Sequence, residues 1–219
     1  MTNLHLACLN VHVVSHGIYH TNNYLVDDGI SGEALLIDAT ENPARLTAEA
    51  ESRSLRIVAV VATHSHFDHV GGVAGIKQRL HIPFMIGEHA LESLRQEAAR
   101  AHESGVTIPE PPEPDRLLRD GDWVEVGSLR FQVLYTPGHW RGDICLHEPN
   151  AQVVFTGDTL HKREIGRFNK GCDVDQLVRS IRTKLLVLPD ETQVYSGHGP
   201  VTTIGEARRN NLGVRELLS

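Results

Sequence analysis

Thr63-His64-Ser65-His66-Phe67-Asp68-His69-Val70-Gly71-Gly72 is the stretch on which the reading of this chain turns. It follows Ile57 to Ala62, an unbroken run of β-branched and small apolar residues such as a strand buried on both faces requires. Its two glycines permit tight backbone at the entry to a helical segment running to about Leu80. Three imidazoles and a carboxylate thus sit on a strand-to-helix loop, where a rigid scaffold displays reactive groups. In extended backbone alternate side chains share a face, so His64 and His66 are expected to point the same way. Asp68 and His69 come round as the chain turns and form a second cluster beside the first. Imidazole nitrogen with carboxylate oxygen suits zinc or iron(II) rather than calcium or magnesium.

Downstream the same situation recurs three times, a short strand followed at once by a turn bearing a ligand-type residue. Thr136-Pro137-Gly138-His139 follows Phe131 to Tyr135, Thr156-Gly157-Asp158-Thr159 follows Val153 to Phe155, and Ser196-Gly197-His198-Gly199 follows Val194-Tyr195. In each a glycine precedes the candidate ligand and allows close backbone approach. With the first cluster they supply five histidines and two aspartates, enough for two metal ions.

The flanking chain reads as scaffold. Strands are expected over Leu4–Val14, Tyr24–Val26, Ala34–Ile37, Phe84–Ile86, Trp123–Val126, Leu129–Tyr135, Ile144–Leu146, Val153–Phe155 and Gln193–Tyr195, with an Asp28–Gly32 turn. Helices are expected from Pro43 to about Ser52, Ala90 to His102, Val174 to Leu188 and Ile204 to Leu218. Two β-rich halves with helices outside make a layered α+β arrangement, expected to be a single domain over 1–219. The chain of 219 residues is 40% hydrophobic and 22% charged, the balance of a globular protein rather than a disordered one. Its net charge of −7 argues against nucleic acid or an anionic membrane as partner. Three cysteines, none at C-x-x-C spacing, no signal-peptide pattern and no long apolar stretch lead to the expectation of a cytoplasmic protein. A monomer or small homo-oligomer acting on a small molecule fits that picture.

The HxHxDH stretch (His64, His66, Asp68, His69), followed in order by PGH, GDT and GHG, resembles the metallo-β-lactamase-fold hydrolases. Within them the chain is most similar to the short bacterial glyoxalase II proteins, the hydroxyacylglutathione hydrolases, through Gly157-Asp158-Thr159-Leu160, Ile165-Gly166-Arg167 and Gly197 to Gly205. The resemblance implies a four-layer αββα sandwich with the site at one edge. It implies one metal on His64, His66 and His139, a second on Asp68, His69 and His198, and Asp158 bridging. Two zinc ions per chain are implied, with iron or manganese as alternatives. Asp68 is then also the catalytic carboxylate, accepting a hydrogen bond from the attacking water. The implied reaction is hydrolysis of a small thioester such as S-lactoylglutathione. The alternatives are a mononuclear iron persulfide dioxygenase or a lactonase.

Two departures bear on the substrate. Few residues follow His198, so the helical extension of the longer glyoxalase II enzymes, which supplies part of their glutathione site, is not expected. Arg167, with Phe168 and Lys170 beside it, is left as the candidate substrate-binding group, able to pair with a carboxylate. The small uncharged residues usual after the PGH histidine are replaced by Trp140-Arg141. Trp140 is expected to pack against the sheet edge, the other possibility being that it narrows the pocket. His147, His161, His16 and His20 are noted as residues near the candidate site strands or turns.

Overall fold

The computed structural model describes residues 8–166 and 171–218. Arg167, Phe168 and Lys170 lie outside the described residues. Six strands form a first sheet in sequence order: β1 (Asn10–His16), β2 (Thr21–Asp27), β3 (Glu33–Ile37), β4 (Arg56–Ala62), β5 (Phe84–Gly87) and β6 (Arg116–Leu118). A second sheet holds β7 (Trp123–Val126), β8 (Leu129–Tyr135), β9 (Ile144–Glu148), β10 (Val153–Gly157), β11 (Gln193–Ser196) and β12 (Thr202–Thr203) in consecutive order. The strands expected from Tyr24 onward are all present, and β6 and β12 are additions.

Side-chain alternation explains the layers. Tyr24 and Val26 on β2, and Leu35 and Ile37 on β3, face the second sheet and meet Phe131, Val133, Leu146 and Phe155. Leu25, Leu36, Val60 and Ala62 face the opposite way, onto helices α1 (Pro43–Ser52), α2 (Phe67–Val70), α3 (Val73–Leu80) and α4 (Leu91–Leu94). A register shift in the β3–β4 pairing, between Ala34 and Leu35, lets Ile57 join the helix-side core although Ala59 faces inward. On the far side Val154 and Val194 pack against α6 (Val174–Ser180), α7 (Ile204–Asn210) and α8 (Leu212–Leu218). Helices, sheet, sheet, helices is the four-layer α+β sandwich the sequence led us to expect. Phe131 and Phe155 are fully enclosed between the sheets, each stabilising the sandwich by roughly 1.5–3 kcal/mol. Asp28, at the β2–β3 turn, accepts the backbone N–H groups of Ile30 and Ser31 and also that of Ser128 on the other sheet. Burial raises its pKa, but these hydrogen bonds outweigh burial and hold the carboxyl well below the usual range.

Three helices are less continuous than their periodicity suggests. The segment expected from Ala90 to His102 divides at Arg95-Gln96 into α4 and α5 (Glu97–Glu103), and buried Glu97 at the start of α5 turns inward to accept the Phe67 N–H at 2.8 Å. The helix over Val174–Leu188 passes from α6 into a π turn at Ile181–Leu185. The last helix breaks at Asn211, whose amide donates to the carbonyls of His161 and Glu164 at 2.8 and 2.9 Å. Its Oδ1 accepts the Val214 N–H at 3.0 Å and starts α8.

Candidate metal centre

Four strand ends bring the predicted residues to one edge of the sandwich. The end of β4 carries His64 and His66, and the single turn α2 presents Asp68 and His69. β8 leads to His139, β10 to Asp158 and β11 to His198. Because β10 and β11 are parallel, Asp158 and His198 leave the sheet at the same end. The Ile144 N–H bonds the Thr63 carbonyl at 2.9 Å and the Asn22 N–H bonds that of Gly197 at 2.7 Å, joining the two sheets at the site.

Two glycines make the approach possible. Gly138 adopts φ +143°, and a Cβ there would lie 2.2 Å from the Leu177 backbone. At Gly197 a Cβ would sit 2.3 Å from Asp158 Oδ1 and 2.7 Å from His69 Cε1, so only glycine lets that loop close over the carboxylate.

The residues converge as two abutting sets. His66 Nδ1 lies 3.0 Å from His64 Nε2 and 3.1 Å from His139 Nε2. His198 Nε2 lies 3.3 Å from Asp68 Oδ2, and His69 Nε2 lies 3.5 Å from the same oxygen. Asp158 stands between the sets: Oδ2 is 3.5 Å from His139 Nε2 and 3.4 Å from His198 Nε2, and Oδ1 is 3.6 Å from His69 Nε2. All seven residues named from the sequence are therefore brought together.

Hydrogen bonds behind the rings fix which nitrogens face inward. His139 donates from Nδ1 to the Gly166 carbonyl at 2.8 Å, and His198 from Nδ1 to the Tyr19 carbonyl at 3.1 Å. His69 donates from Nδ1 to Asp38 Oδ2 at 2.8 Å. A carbonyl or carboxylate can only accept, so the Nδ1 proton is held behind each ring and Nε2 faces the centre, where the neutral ring offers its lone pair. His69 Nε2 is buried with no hydrogen-bond partner, an arrangement that costs stability unless a cation takes the lone pair.

Electrostatics point the same way. Burial pushes His64, His66 and His139 below the ordinary imidazole pKa and keeps them neutral. His69 and His198 also lose from burial, but Asp68 and Asp158, joined by Asp38 at His69, more than offset it and raise their pKa values to about 9 and 10. The carboxylates thus draw positive charge into the centre. A metal binding there would displace the protons on His69 and His198, leaving imidazole nitrogens and carboxylate oxygens as the donors that zinc, iron or manganese accept. The donor set fits a metal.

A cleft of about 810 Å³ opens onto these residues. Tyr19, Phe67, Trp140, Arg100, Lys162 and Arg163 are among the residues that line it. Trp140 thus departs from the expected packing on the sheet edge: its indole lies 4.7 Å from the His66 ring and lines the cleft. His161, also on the cleft, approaches Asp158 Oδ1 at 3.4 Å. His147 is buried on β9 and His16 on β1, and neither lines the cleft. The sequence reading did not single out Asp38, Thr21, Glu97 or Arg100. Asp38 had a visible signal, a carboxylate directly ending a buried apolar run; the other three had none.

A four-layer sandwich whose strand ends gather imidazoles and carboxylates around a cleft defines a protein of the metallohydrolase class. The family model described as the metallo-beta-lactamase superfamily matches residues 16–198, and the chain belongs to that superfamily. Hydroxyacylglutathione hydrolase GloC of Haemophilus influenzae is 33% identical, over 93% of this chain and 97% of its own. The crystal structure of the BLEG-1 B3 metallo-beta-lactamase is 30% identical with a TM-score of 0.87, covering 94% of this chain and 99% of its own. The structure of TTHA1623 in a di-iron-bound form is 37% identical with a TM-score of 0.84, covering 92% and 99%.

Proposed function

We propose that the protein is a dinuclear metal-dependent hydrolase of small thioesters, with S-lactoylglutathione the leading substrate. The observation that carries the reading is Asp158, whose carboxylate stands within 3.6 Å of His69, His139 and His198, reaching both sets at once. On this reading His64, His66 and His139 hold one ion, Asp68, His69 and His198 the second, and Asp158 both. A metal pair in such a site acidifies a water from a pKa of 15.7 towards roughly 7 and polarises a carbonyl oxygen.

The chain's own residues do the rest. Thr21 donates to Asp68 Oδ2 at 2.8 Å and Thr40 donates to the Asp68 carbonyl at 2.8 Å, fixing the carboxylate's angle. Burial raises the Asp68 pKa, but His69 and His198 outweigh it and bring the carboxyl down to about 2. Asp68 therefore remains an anion, able to accept a hydrogen bond from the attacking water and orient it. Phe67 and Tyr19, rings 5.6 Å apart, shield the carboxylate's side of the cleft. A thiolate is a stable leaving group, so expulsion needs little help from a general acid. Similarity to GloC supports the thioester over a lactone or a β-lactam, and the filled second set supports two ions over the single iron of a dioxygenase.

The test is metal content of the purified protein by mass spectrometry, with S-lactoylglutathione hydrolysis followed on the same sample. Near two metals per chain, with turnover that a chelator removes, is the expected result. One iron per chain, no thioester turnover and oxygen uptake with glutathione persulfide would overturn it.

A further inference from the structure

The cleft shares one partition with a second, smaller cavity. Trp140 and Arg100 line both the main cleft and an adjoining space of about 160 Å³ whose far side carries His89, Ser93 and Gln96. The partition is built from several pieces. The Arg100 guanidinium lies 5.0 Å over the indole and donates to Gln96 Oε1 at 2.9 Å. On the other face the indole rests on Gly171, where a Cβ would meet the ring at 2.1 Å. The Trp140 backbone N–H is fixed by the Asp143 carboxylate at 2.5 Å. Trp140 Nε1 is buried there without a hydrogen-bond partner, and Arg100 Nη1 lies 3.8 Å from Glu97 Oε2, an ion pair beyond hydrogen-bond distance. Packing, the cation–ring contact and Arg100's polar partners together hold the wall.

We propose that Trp140, braced by Arg100, is the specificity-determining wall of the cleft and limits the acyl half of the substrate to short chains. The inference rests on the thioester reading above. Charge decides which half of the substrate meets the wall. Arg100, paired with Glu97 at 3.8 Å, stands beside Trp140 next to His66, whereas Lys162 and Arg163 follow His161, whose ring lies 5.9 Å from that of His198 in the other set. An anionic thiol carrier is drawn to Lys162 and Arg163, which leaves the uncharged acyl group against the indole next to His66. The space behind the wall is close to the ~150 Å³ that accommodates a benzene-sized molecule, so removing the indole adds room for several methylenes.

The experiment compares wild type, Trp140→Ala, Trp140→Phe and Arg100→Ala, each checked for folding by circular dichroism. Glutathione thioesters from acetyl to octanoyl are assayed for kcat and KM, and butanoate to octanoate are titrated by calorimetry as product-like ligands. Wild type should reject octanoyl relative to acetyl by about tenfold or more in kcat/KM, the range that excess methylenes impose in a closed pocket. In Trp140→Ala the ratio should fall to within about threefold, chiefly through KM, with Trp140→Phe near wild type and Arg100→Ala between. The carboxylate affinities should follow the same order. An unchanged length profile in a folded Trp140→Ala protein would overturn the proposal, and Arg100→Ala decides by the same criterion should that variant not fold. If wild type cleaves no thioester, the functional reading fails, while the carboxylate series still decides the wall.

Discussion

Asp38→Asn removes one hydrogen-bond acceptor behind the centre and leaves the ligands themselves untouched. Asp38 is 1% exposed; its Oδ1 accepts the Thr63 N–H at 2.7 Å, and its Oδ2 accepts from Thr63 Oγ1 at 2.9 Å and from His69 Nδ1 at 2.8 Å. Asparagine keeps the volume and the first of these bonds, and it tolerates the φ of +60° found here as well as aspartate does. What changes is the atom facing His69, an amide donor in place of a carboxylate acceptor. The His69 ring must then lose its Nδ1 proton to Nε2, where a metal lone pair is needed, or tilt away from the centre. Loss of such an outer partner costs about 10–100-fold in metal affinity, or about 1.4–2.8 kcal/mol. Titration of the apoprotein against a fluorescent chelator reads this directly: on the proposed occupancy, the ion on Asp68, His69 and His198 should weaken by that factor. The His64, His66 and His139 ion should change far less. Affinities for both equivalents within about twofold of wild type would refute the claim that Asp38 sets the His69 tautomer.

Further outcomes follow from the same geometry. His66→Ala and Asp158→Ala should each lose bound metal and turnover together, by metal analysis and S-lactoylglutathione assay; full activity in either sinks the ligand assignment. Gly138→Ala places a methyl at φ +143° and 2.2 Å from Leu177 backbone. At a strain of about 2 kcal/mol or more the melting temperature should drop by roughly 4–8 °C. Burial raises the Glu97 pKa to about 7, against the Phe67 N–H and Arg100, which lower it. A folded pKa above the unfolded one means stability present below about pH 4.5 and lost as pH rises through 7, up to about 3 kcal/mol at 1.36 per unit. Glu97→Gln should therefore flatten the pH dependence of apoprotein stability between pH 5 and 8, measured by urea unfolding.

Ligand-type residues were legible in the sequence because each carries rare chemistry at a strand end, and the glycine before His139, Asp158 and His198 marks where backbone must come close. Sheet order was open to the same reading, since Leu35, Leu36 and Ile37 are buried on both faces and could only be central. What stayed hidden depends on contacts between distant segments. Nothing near Glu97 signals that its carboxyl turns inward to Phe67. Asn211 breaks the last helix only because two carbonyls some 50 residues earlier lie within reach. Trp140 looked like packing material for a sheet edge, and its place over His66 is set by Arg100 and Gly171, neither adjacent to it in sequence.

Asp68 rises from the first sheet's side of the sandwich and Asp158 from the second, and, against burial, His69 and His198 hold both carboxyls below the ordinary range across the seam between them. Without a metal, protons on His69 and His198 balance the two carboxylates; a metal ion that takes their place ties the two sides of the seam through one centre. An ion that binds only the folded chain stabilises it by about 2.7 kcal/mol when free metal stands a hundredfold above its dissociation constant. On the proposed occupancy the chain's lifetime would follow metal supply, with starved molecules the less stable ones and the first offered to proteases.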